Sequence, residues 1–262
     1  MNKKIGLALG SGGARGIAHI GVIKGLLSLG VEVDMISGSS AGSLIGGLYA
    51  AGIKIDEIEK IVSSLDYTDL WKMLDPNWGS GLVKGNKLVE FLNKYLGASR
   101  IENLKLPYCA VATNVITAEK VVLDRGELTS AIRASCSVPL VFEPFTIDGI
   151  TLVDGGVSSP VPVFELERMG ADKVIAVNLD AIYFLDENVK KNGSVNPLSV
   201  ISNSYNILRY HLAKLETRDA DIVLEPKIEY VHDFNFAHIE SYISSGEEVV
   251  FVNKERILAL VR

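Results

Sequence analysis

The segment Gly38-Ser39-Ser40-Ala41-Gly42 has the residue types and spacing of a G-x-S-x-G nucleophile elbow. It follows a predicted strand and opens a predicted helix, and so sharp a turn requires small residues at Gly38 and Gly42. Ser40 would project at a helix N-terminus, where unpaired N–H groups favour a developing negative charge. We therefore predict that Ser40 is a nucleophile. The alternatives are a serine that only caps the helix and the hydroxyl of Ser39, which lacks symmetric glycine flanks.

A second glycine-rich turn, Gly10-Ser11-Gly12-Gly13-Ala14-Arg15-Gly16, also lies between a predicted strand and a predicted helix. A dinucleotide fingerprint would place a small residue where Arg15 stands, and no Gly-Lys-Ser/Thr follows to make a P-loop. Successive N–H groups in a glycine turn form an anion-binding nest, and glycine lets the backbone approach a reacting carbonyl. We predict an oxyanion hole here. Arg15 adds a fixed cation, suited to a phosphate head group or to holding the loop in place.

Asp154, in Leu152-Val153-Asp154-Gly155-Gly156, is the strongest candidate for the base that a nucleophilic serine needs. It follows a short apolar strand, at the strand end where α/β sheets place their sites. Since the ends of parallel strands meet at one edge, we expect Ser40 and Asp154 to share a pocket. Burial would raise the low pKa of the carboxyl and make it a better base. The alternative is an ordinary Asp-Gly turn.

Four histidines supply the main alternative to a carboxylate base: His19, His211, His232 and His238. The last three follow Asp154, as in the Ser, Asp, His chain order of α/β-hydrolase triads. Those hydrolases place several strands before the elbow, whereas one strand precedes the elbow strand here. His19 falls inside the first predicted helix, where a packing or orienting role is the simpler interpretation. The triad therefore stays the second hypothesis.

The elements that must position these residues alternate between strands and helices. Short apolar runs predict strands, and helical spacing that stops at glycines predicts helices. The predicted strands are 5–9, 31–36, 108–117, 120–124, 150–153, 173–178 and 221–224. The predicted helices are 17–29, 41–51, 55–65, 86–96, 127–137, 161–169, 198–216 and 238–260. This alternation predicts an α/β fold with a mostly parallel sheet covered by helices on both faces. No linker divides the chain, so we expect one domain over residues 1–262.

Composition excludes several classes of protein. With 48% hydrophobic and 22% charged residues the chain is globular rather than disordered. A net charge of -6 provides no basic surface for nucleic acid. No apolar run reaches the length of a membrane-spanning helix, and the apolar stretch after Lys3 and Lys4 is too short for a signal peptide. Cys109 and Cys136 fit neither a disulfide framework nor a zinc site. We expect a cytoplasmic protein.

Taken in order, the glycine loop, the serine elbow and Asp154-Gly155-Gly156 resemble the patatin-like phospholipase family, in particular its small bacterial members. The block Ala134-Ser135-Cys136-Ser137-Val138-Pro139 also resembles a family segment upstream of the aspartate. The resemblance runs from about residue 5 to about residue 180. Residues 181–262 carry no motif of this kind, and we expect their helices to complete the same domain.

This resemblance implies a three-layer α/β/α fold and a serine–aspartate dyad. Ser40 would be the nucleophile and Asp154 the base, while the amides of Gly12, Gly13 and Ala14 would form the oxyanion hole with Arg15 beside it. Members of the family hydrolyse acyl esters of phospholipids, lysophospholipids or neutral lipids. No metal and no cofactor are implied, and the expected partner is a lipid or another acyl ester.

Three expectations concern the setting of the site. The segment from Tyr67 to Gly85, rich in Trp, Asp, Gly and Pro, would form a lid or part of the core. Contact with a membrane would be peripheral and transient, because no basic amphipathic helix stands out. The alternatives for function are a soluble carboxylesterase or acyltransferase with a triad, and a regulatory protein that keeps the fold without catalysis.

Overall fold

The computed structural model describes residues 3–64, 83–181, 197–228 and 238–262. Within these ranges the strands form one sheet with the order β5-β6-β3-β2-β1-β7-β8, and β4 also pairs with β3. The strands are β1 (Ile5–Leu9), β2 (Met35–Ser39), β3 (Tyr108–Asn114), β4 (Lys120–Leu123), β5 (Phe145–Ile147), β6 (Ile150–Asp154), β7 (Lys173–Val177) and β8 (Ile222–Leu224).

Helices follow most of the strands. They are α1 (Ala18–Ser28), α2 (Ala41–Ala50), α3 (Ile55–Ser63), α4 (Asn86–Leu96), α5 (Leu128–Ser135), α6 (Val163–Met169), α7 (Pro197–Glu216), α8 (Ile239–Val252) and α9 (Lys254–Val261). The glycine-rich loop after β1 closes into a short 3₁₀-helix, Gly13–Ile17, rather than an open turn.

The sheet is mixed, and its parallel part runs through β3, β2, β1, β7 and β8. Its two faces are covered by different helices because side chains alternate along a strand. Leu7 and Leu9 of β1 join a large core with α1, α2, α5 and α8, whereas Ala8 joins Val163 and Leu166 of α6 on the other face. The predicted α/β architecture, a sheet between two helical layers, is confirmed.

Several predicted elements differ in detail from the structure. Strand β5 was not predicted, and β6 pairs antiparallel with β3 rather than extending the parallel part. The long C-terminal helix is two helices that meet at Asn253. Most of the predicted lid, 67–82, lies outside the described residues. Its end is described: the Val83 N–H donates to the Val141 carbonyl at 2.8 Å.

Helix α8 packs against α1 at unusually close range. A Cβ on Gly21 of α1 would lie 1.9 Å from the Ile243 carbonyl oxygen, and one on Gly246 of α8 would lie 2.1 Å from the Ala18 carbonyl oxygen. Only glycine permits such contact between two helix backbones. Helix α8 therefore supports α1, the helix that follows the glycine-rich loop.

Candidate active site

Ser40 occupies a sharp turn between β2 and α2. Its φ of 52° and ψ of -121° form a backbone conformation that non-glycine residues rarely adopt. The flanking glycines are required by space: a Cβ on Gly38 would lie 2.6 Å from the Ser43 backbone, and one on Gly42 would lie 2.0 Å from the Leu9 carbonyl oxygen. The local geometry is therefore that of an elbow that presses its helix closely against β1.

Polar contacts from α2 and from the C-terminal end of α5 hold this turn in place. The Ser40 N–H donates to the Ser135 hydroxyl at 2.9 Å. The Ser40 carbonyl accepts from the Ser43 hydroxyl at 2.6 Å and from the Cys136 thiol at 3.3 Å. Ser135 and Cys136 belong to the block upstream of the aspartate, so this block anchors the elbow, a role that its sequence alone did not reveal.

Asp154 is the last residue of β6 and lies level with Ser40. The expectation that it follows a parallel strand is wrong, because β6 runs antiparallel to β3. The register nevertheless aligns the two residues: Ser39 pairs with Val111, and the next residue of β3, Ala112, pairs with Asp154. Two strand spacings of about 4.8 Å each separate the strands that carry Ser40 and Asp154.

The two oxygens of the buried Asp154 carboxyl have different surroundings. Oδ1 accepts the Gly156 N–H at 2.7 Å, whereas Oδ2 has no hydrogen-bond partner among the described residues. Burial raises the pKa of Asp154 to about 6, and the Ser40 side chain is close enough to lower this pKa in part. The Ser40 side chain faces this carboxyl without making a hydrogen bond of standard geometry to Oδ2. Oδ2 is therefore available to accept a proton.

The glycine-rich loop leaves backbone donors without helical acceptors. The first bond of its 3₁₀-helix runs from the Arg15 N–H to the Gly12 carbonyl at 3.1 Å, so the amides of Gly12, Gly13 and Ala14 precede the helical ladder. Gly13 has a φ of 56°, which favours glycine. A Cβ on Gly16 would lie 2.2 Å from the Ala41 side chain, so the loop packs directly against the start of α2.

Arg15 points into the protein rather than toward a head group. Its guanidinium donates to the Gly12 carbonyl at 3.3 Å and the Leu179 carbonyl at 2.7 Å, and it pairs with Asp180 at 3.3 Å. The Arg15 side chain is 2% exposed. The sequence left two roles open for the Arg15 side chain, and these contacts favour the one in which it holds the loop in place. The backbone N–H of Arg15 already donates to the Gly12 carbonyl.

The histidines occupy different places. His19 is buried in α1 and donates from Nε2 to the Gly10 carbonyl at 2.7 Å, which makes it an orienting residue for the glycine loop. Burial lowers the pKa of His19 to about 4, so it is neutral at physiological pH. His211 is exposed on α7, His238 is half-buried before α8, and His232 lies outside the described residues.

Within the described ranges, no helix is both long enough and apolar enough to cross a membrane. In the same ranges, no three His, Cys, Asp or Glu side chains are grouped to hold a metal ion.

With this architecture and site in place, comparison with known proteins defines the class. The chain belongs to the patatin-like phospholipase family, whose model matches residues 7–166. The match confirms the resemblance carried by the glycine loop, the elbow and the Asp-Gly-Gly turn. It ends before α7, α8 and α9.

Two individual relatives show which members of the family this chain is similar to. An uncharacterized NTE family protein of Mycobacterium tuberculosis is 41% identical over 178 residues, which cover 68% of this chain and 49% of the relative. Lysophospholipase NTE1 of Yarrowia lipolytica is 35% identical over 225 residues, which cover 82% of this chain and 16% of the relative. The chain thus spans about half the length of the first relative and a small part of the second.

Among solved structures, VipD from Legionella pneumophila has a similar fold. The TM-score is 0.53 at 14% sequence identity, and the alignment covers 96% of this chain and 67% of VipD. At this identity the likeness supports the fold alone.

Proposed function

We propose that this chain is a serine hydrolase of lipid acyl esters that uses Ser40 as nucleophile and Asp154 as base. One observation carries the proposal: the strained elbow residue Ser40 and the buried Asp154 carboxyl lie at the same height along the sheet. The Oδ2 atom of that carboxyl has no hydrogen-bond partner among the described residues. Family membership supports the same class of reaction.

In the proposed reaction, Asp154 Oδ2 accepts the Ser40 hydroxyl proton while Ser40 Oγ attacks the ester carbonyl carbon. The amides of Gly12, Gly13 and Ala14 donate to the oxyanion, and each such donor contributes roughly 2.7–4 kcal/mol of transition-state stabilisation. Collapse breaks the ester C–O bond, and the leaving alkoxide takes the proton from Asp154. A water molecule then loses a proton to Asp154 and attacks the acyl-serine. As the bond to the acyl group breaks, Asp154 returns this proton to Ser40 Oγ, and the fatty acid leaves.

A Ser40–Asp154 dyad is favoured over a Ser-Asp-His triad by the surroundings of the carboxyl. The first step requires a base that is ionised near neutral pH yet more basic than an exposed carboxylate. Burial supplies this property to Asp154, whose pKa is raised to about 6. Of the three histidines that could complete a triad, His232 lies outside the described residues, His211 is exposed and His238 is half-buried before α8. Neither His211 nor His238 is among the groups that most affect the pKa of Asp154.

The proposed substrate class is the acyl esters of phospholipids and lysophospholipids. The printed name of the Yarrowia relative, a lysophospholipase, supports this choice, and so does the family description. The match covers 16% of that relative, so the name supports a substrate class for this chain without showing it.

We propose that contact with the lipid surface is peripheral and made at the edge of the sheet that carries Ser40. The β3–β4 turn extends β3 beyond the level of Ser40 and exposes two apolar side chains, Val115 (48%) and Ile116 (81%). Ile116→Asp should weaken sedimentation with phosphatidylcholine vesicles. Leu27→Asp, at the end of α1 and the opposite edge, should not; equal effects of both changes would contradict the assignment.

The proposed function is tested by turnover of p-nitrophenyl esters and lysophosphatidylcholine with wild type, Ser40→Ala and Ser39→Ala. Ser39 is a matched control because its buried hydroxyl has no hydrogen-bond partner among the described residues. We expect Ser40→Ala to abolish hydrolysis of both substrates and Ser39→Ala to retain it. Hydrolysis by folded Ser40→Ala would overturn the proposal, and a preference for short acyl chains would favour a soluble carboxylesterase.

A further inference from the structure

Arg133 of α5 is a buried arginine whose side chain joins three segments of the chain, and it is 1% exposed. Its Nη1–H donates to the Ser137 hydroxyl at 2.7 Å. Its Nη2–H groups donate to the Lys84 carbonyl at 2.9 Å and to the Glu143 carbonyl at 3.1 Å. These acceptors lie just after α5, just before α4 and just before β5. One planar guanidinium therefore holds three stretches of backbone in a fixed arrangement.

The residues around this guanidinium are fitted to its shape. Gly85 has a φ of 70°, and a Cβ there would lie 2.4 Å from Arg133 Nε. The ring centroids of Phe142 and Phe145 lie 5.1 and 5.4 Å from the guanidinium carbon. A lysine could not meet the same partners, because its ammonium is a compact point charge and not a planar fork. The geometry of the guanidinium, and not its charge alone, therefore matters here.

The segment that Arg133 holds is bonded to the backbone of both candidate catalytic residues. The Ser137 carbonyl accepts the Asp154 N–H at 2.9 Å. Two residues earlier, the Ser135 hydroxyl accepts the Ser40 N–H at 2.9 Å. Strand β3 lies between β2, which leads to Ser40, and β6, which ends at Asp154. The segment 135–137 is therefore a second connection between these residues, in addition to β3.

Ser137 ties Arg133 to this connection through both bonds of its hydroxyl. The oxygen accepts from Arg133 Nη1, and the hydroxyl donates to the Arg133 carbonyl at 3.0 Å. These bonds restrain the same residue whose carbonyl holds Asp154. Restraint of this kind matters for rate, since a displacement of about 1 Å at reacting groups can lower the rate about 100-fold.

We infer that Arg133 is a positioning residue of the catalytic site, which sets the approach of Ser40 Oγ to Asp154 Oδ2 by holding the segment 135–137. It would act through Ser137 and the backbone rather than on the reacting atoms. The inference rests on the proposed function, because it supposes that these two side chains react together.

Arg133→Lys tests the inference because it retains the positive charge and removes the planar fork. We expect kcat for a p-nitrophenyl ester to fall about 100-fold while KM stays within about twofold of wild type. Fluorophosphonate labelling of Ser40 should slow by a similar factor. Ser137→Ala should slow labelling by a smaller factor. Adding it to Arg133→Lys should cause little further loss, because both changes break the same link.

Two controls separate positioning from a general loss of stability, with all rates measured where circular dichroism shows the variants to be folded. Thr129→Val alters the same helix at a buried hydroxyl that has no hydrogen-bond partner among the described residues. It should leave kcat and the labelling rate unchanged. Gly52→Ala strains the turn beyond the far end of α2, where φ is 91°. It should lower stability without slowing the labelling of folded protein.

Equal fractional losses of kcat for the p-nitrophenyl ester and for lysophosphatidylcholine would support positioning. A loss confined to lysophosphatidylcholine would overturn it, because Arg133 would then serve the phosphate head group. Wild-type kcat in folded Arg133→Lys, or a rise in KM alone, would overturn it as well.

Should Arg133→Lys fail to fold, Ser137→Ala decides: slower labelling supports the inference, and labelling at the wild-type rate contradicts it. All of these outcomes leave the proposed function in place. Hydrolysis that persists in folded Ser40→Ala would instead remove the proposed function, whatever Arg133 does.

Discussion

In the proposed mechanism the chemistry depends on Asp154, whose burial has opposite effects on basicity and on stability. Burial gives the carboxyl a pKa of about 6, which strengthens it as a base but makes its ionised form costly to the fold. The contact from the Gly156 N–H and the charge of Arg209 offset part of this cost. A site of this kind should exchange stability for activity.

We expect Asp154→Asn to abolish hydrolysis and to stabilise the folded protein by about 1–3 kcal/mol at pH 7. The sign follows from linkage. The native state binds this proton more tightly than the unfolded state, so stability falls as pH rises from the ordinary pKa of 3.8 to about 6. Asparagine keeps the acceptor for the Gly156 N–H without the charge.

Urea denaturation at pH 7 and at pH 5 measures this gain, which should be roughly halved at the lower pH. Asp124→Asn, at an exposed position, serves as the control and should change stability little. An Asp154→Asn variant that is less stable than wild type at pH 7 would contradict the interpretation of a costly buried carboxylate.

At this scale, the sequence identified residues with a local signature and missed those without one. Ser40 and Asp154 stand in turns whose glycines mark them. Arg133 carries no such mark, because the Lys84 carbonyl that it holds lies 49 residues away in the sequence and is brought near by the tertiary fold. The inward orientation of Arg15 was likewise undetermined, since nothing in the loop predicts which partner its guanidinium meets.

Among the elements, the elbow between β2 and α2 depends on contacts too close for any side chain. A Cβ on Gly42 would lie 2.0 Å from the Leu9 carbonyl oxygen and 2.5 Å from the Leu9 carbonyl carbon. Neither backbone atom can move without displacing β1. The elbow and the strand beneath it must therefore shift together or stay fixed.

We expect Gly42→Ala to cost at least about 3 kcal/mol of stability and most of the activity. Gly52→Ala is the matched control, because Gly52 has a φ of 91° but no heavy atom within 4 Å of an added Cβ. That change should cost about 1–2 kcal/mol from backbone strain alone. Equal losses in thermal unfolding for the two variants would mean that the elbow is not tightly packed.

The sequence predicted most of the parallel strands and most helices because buried strands and amphipathic helices have distinct local patterns. The second strand was predicted at 31–36, whereas β2 is Met35–Ser39. It did not predict β5, which has three half-buried or exposed residues and depends on pairing with β6. Nor could it predict the direction of β6, since strand direction is set by how chain segments meet. The expected alignment of Asp154 with Ser40 still holds, because it depends on the register of β6 against β3 and not on the direction of β6.

At the scale of the whole molecule, the C-terminal residues contribute to the same core as the N-terminal motifs. Tyr242, Ile243 and Val250 of α8 belong to the large core that contains β1 and α1. We propose on this basis that residues 181–262 complete one domain with the family segment. The contact between α1 and α8 then supports the glycine loop through α1, which directly follows that loop.

Gly246→Ala should destabilise the protein by at least about 2 kcal/mol and lower activity. The added Cβ would meet the Ala18 carbonyl oxygen, and α1 cannot withdraw without moving the loop that precedes it. Ser244→Ala, at an exposed position of the same helix, should leave both properties nearly unchanged. A Gly246→Ala protein with normal activity and stability would contradict the view that α8 packs as part of one domain with α1.

The claim that Ser40 is a nucleophile activated by Asp154 is tested most directly by mapping a covalent adduct. Wild type and Asp154→Asn are treated with a fluorophosphonate, and the modified residue is identified by tandem mass spectrometry of the digested protein. We predict a single adduct on Ser40 in wild type and far slower labelling in folded Asp154→Asn. An adduct on Ser39, labelling that is independent of Asp154, or an active enzyme that takes no label would contradict the proposed mechanism.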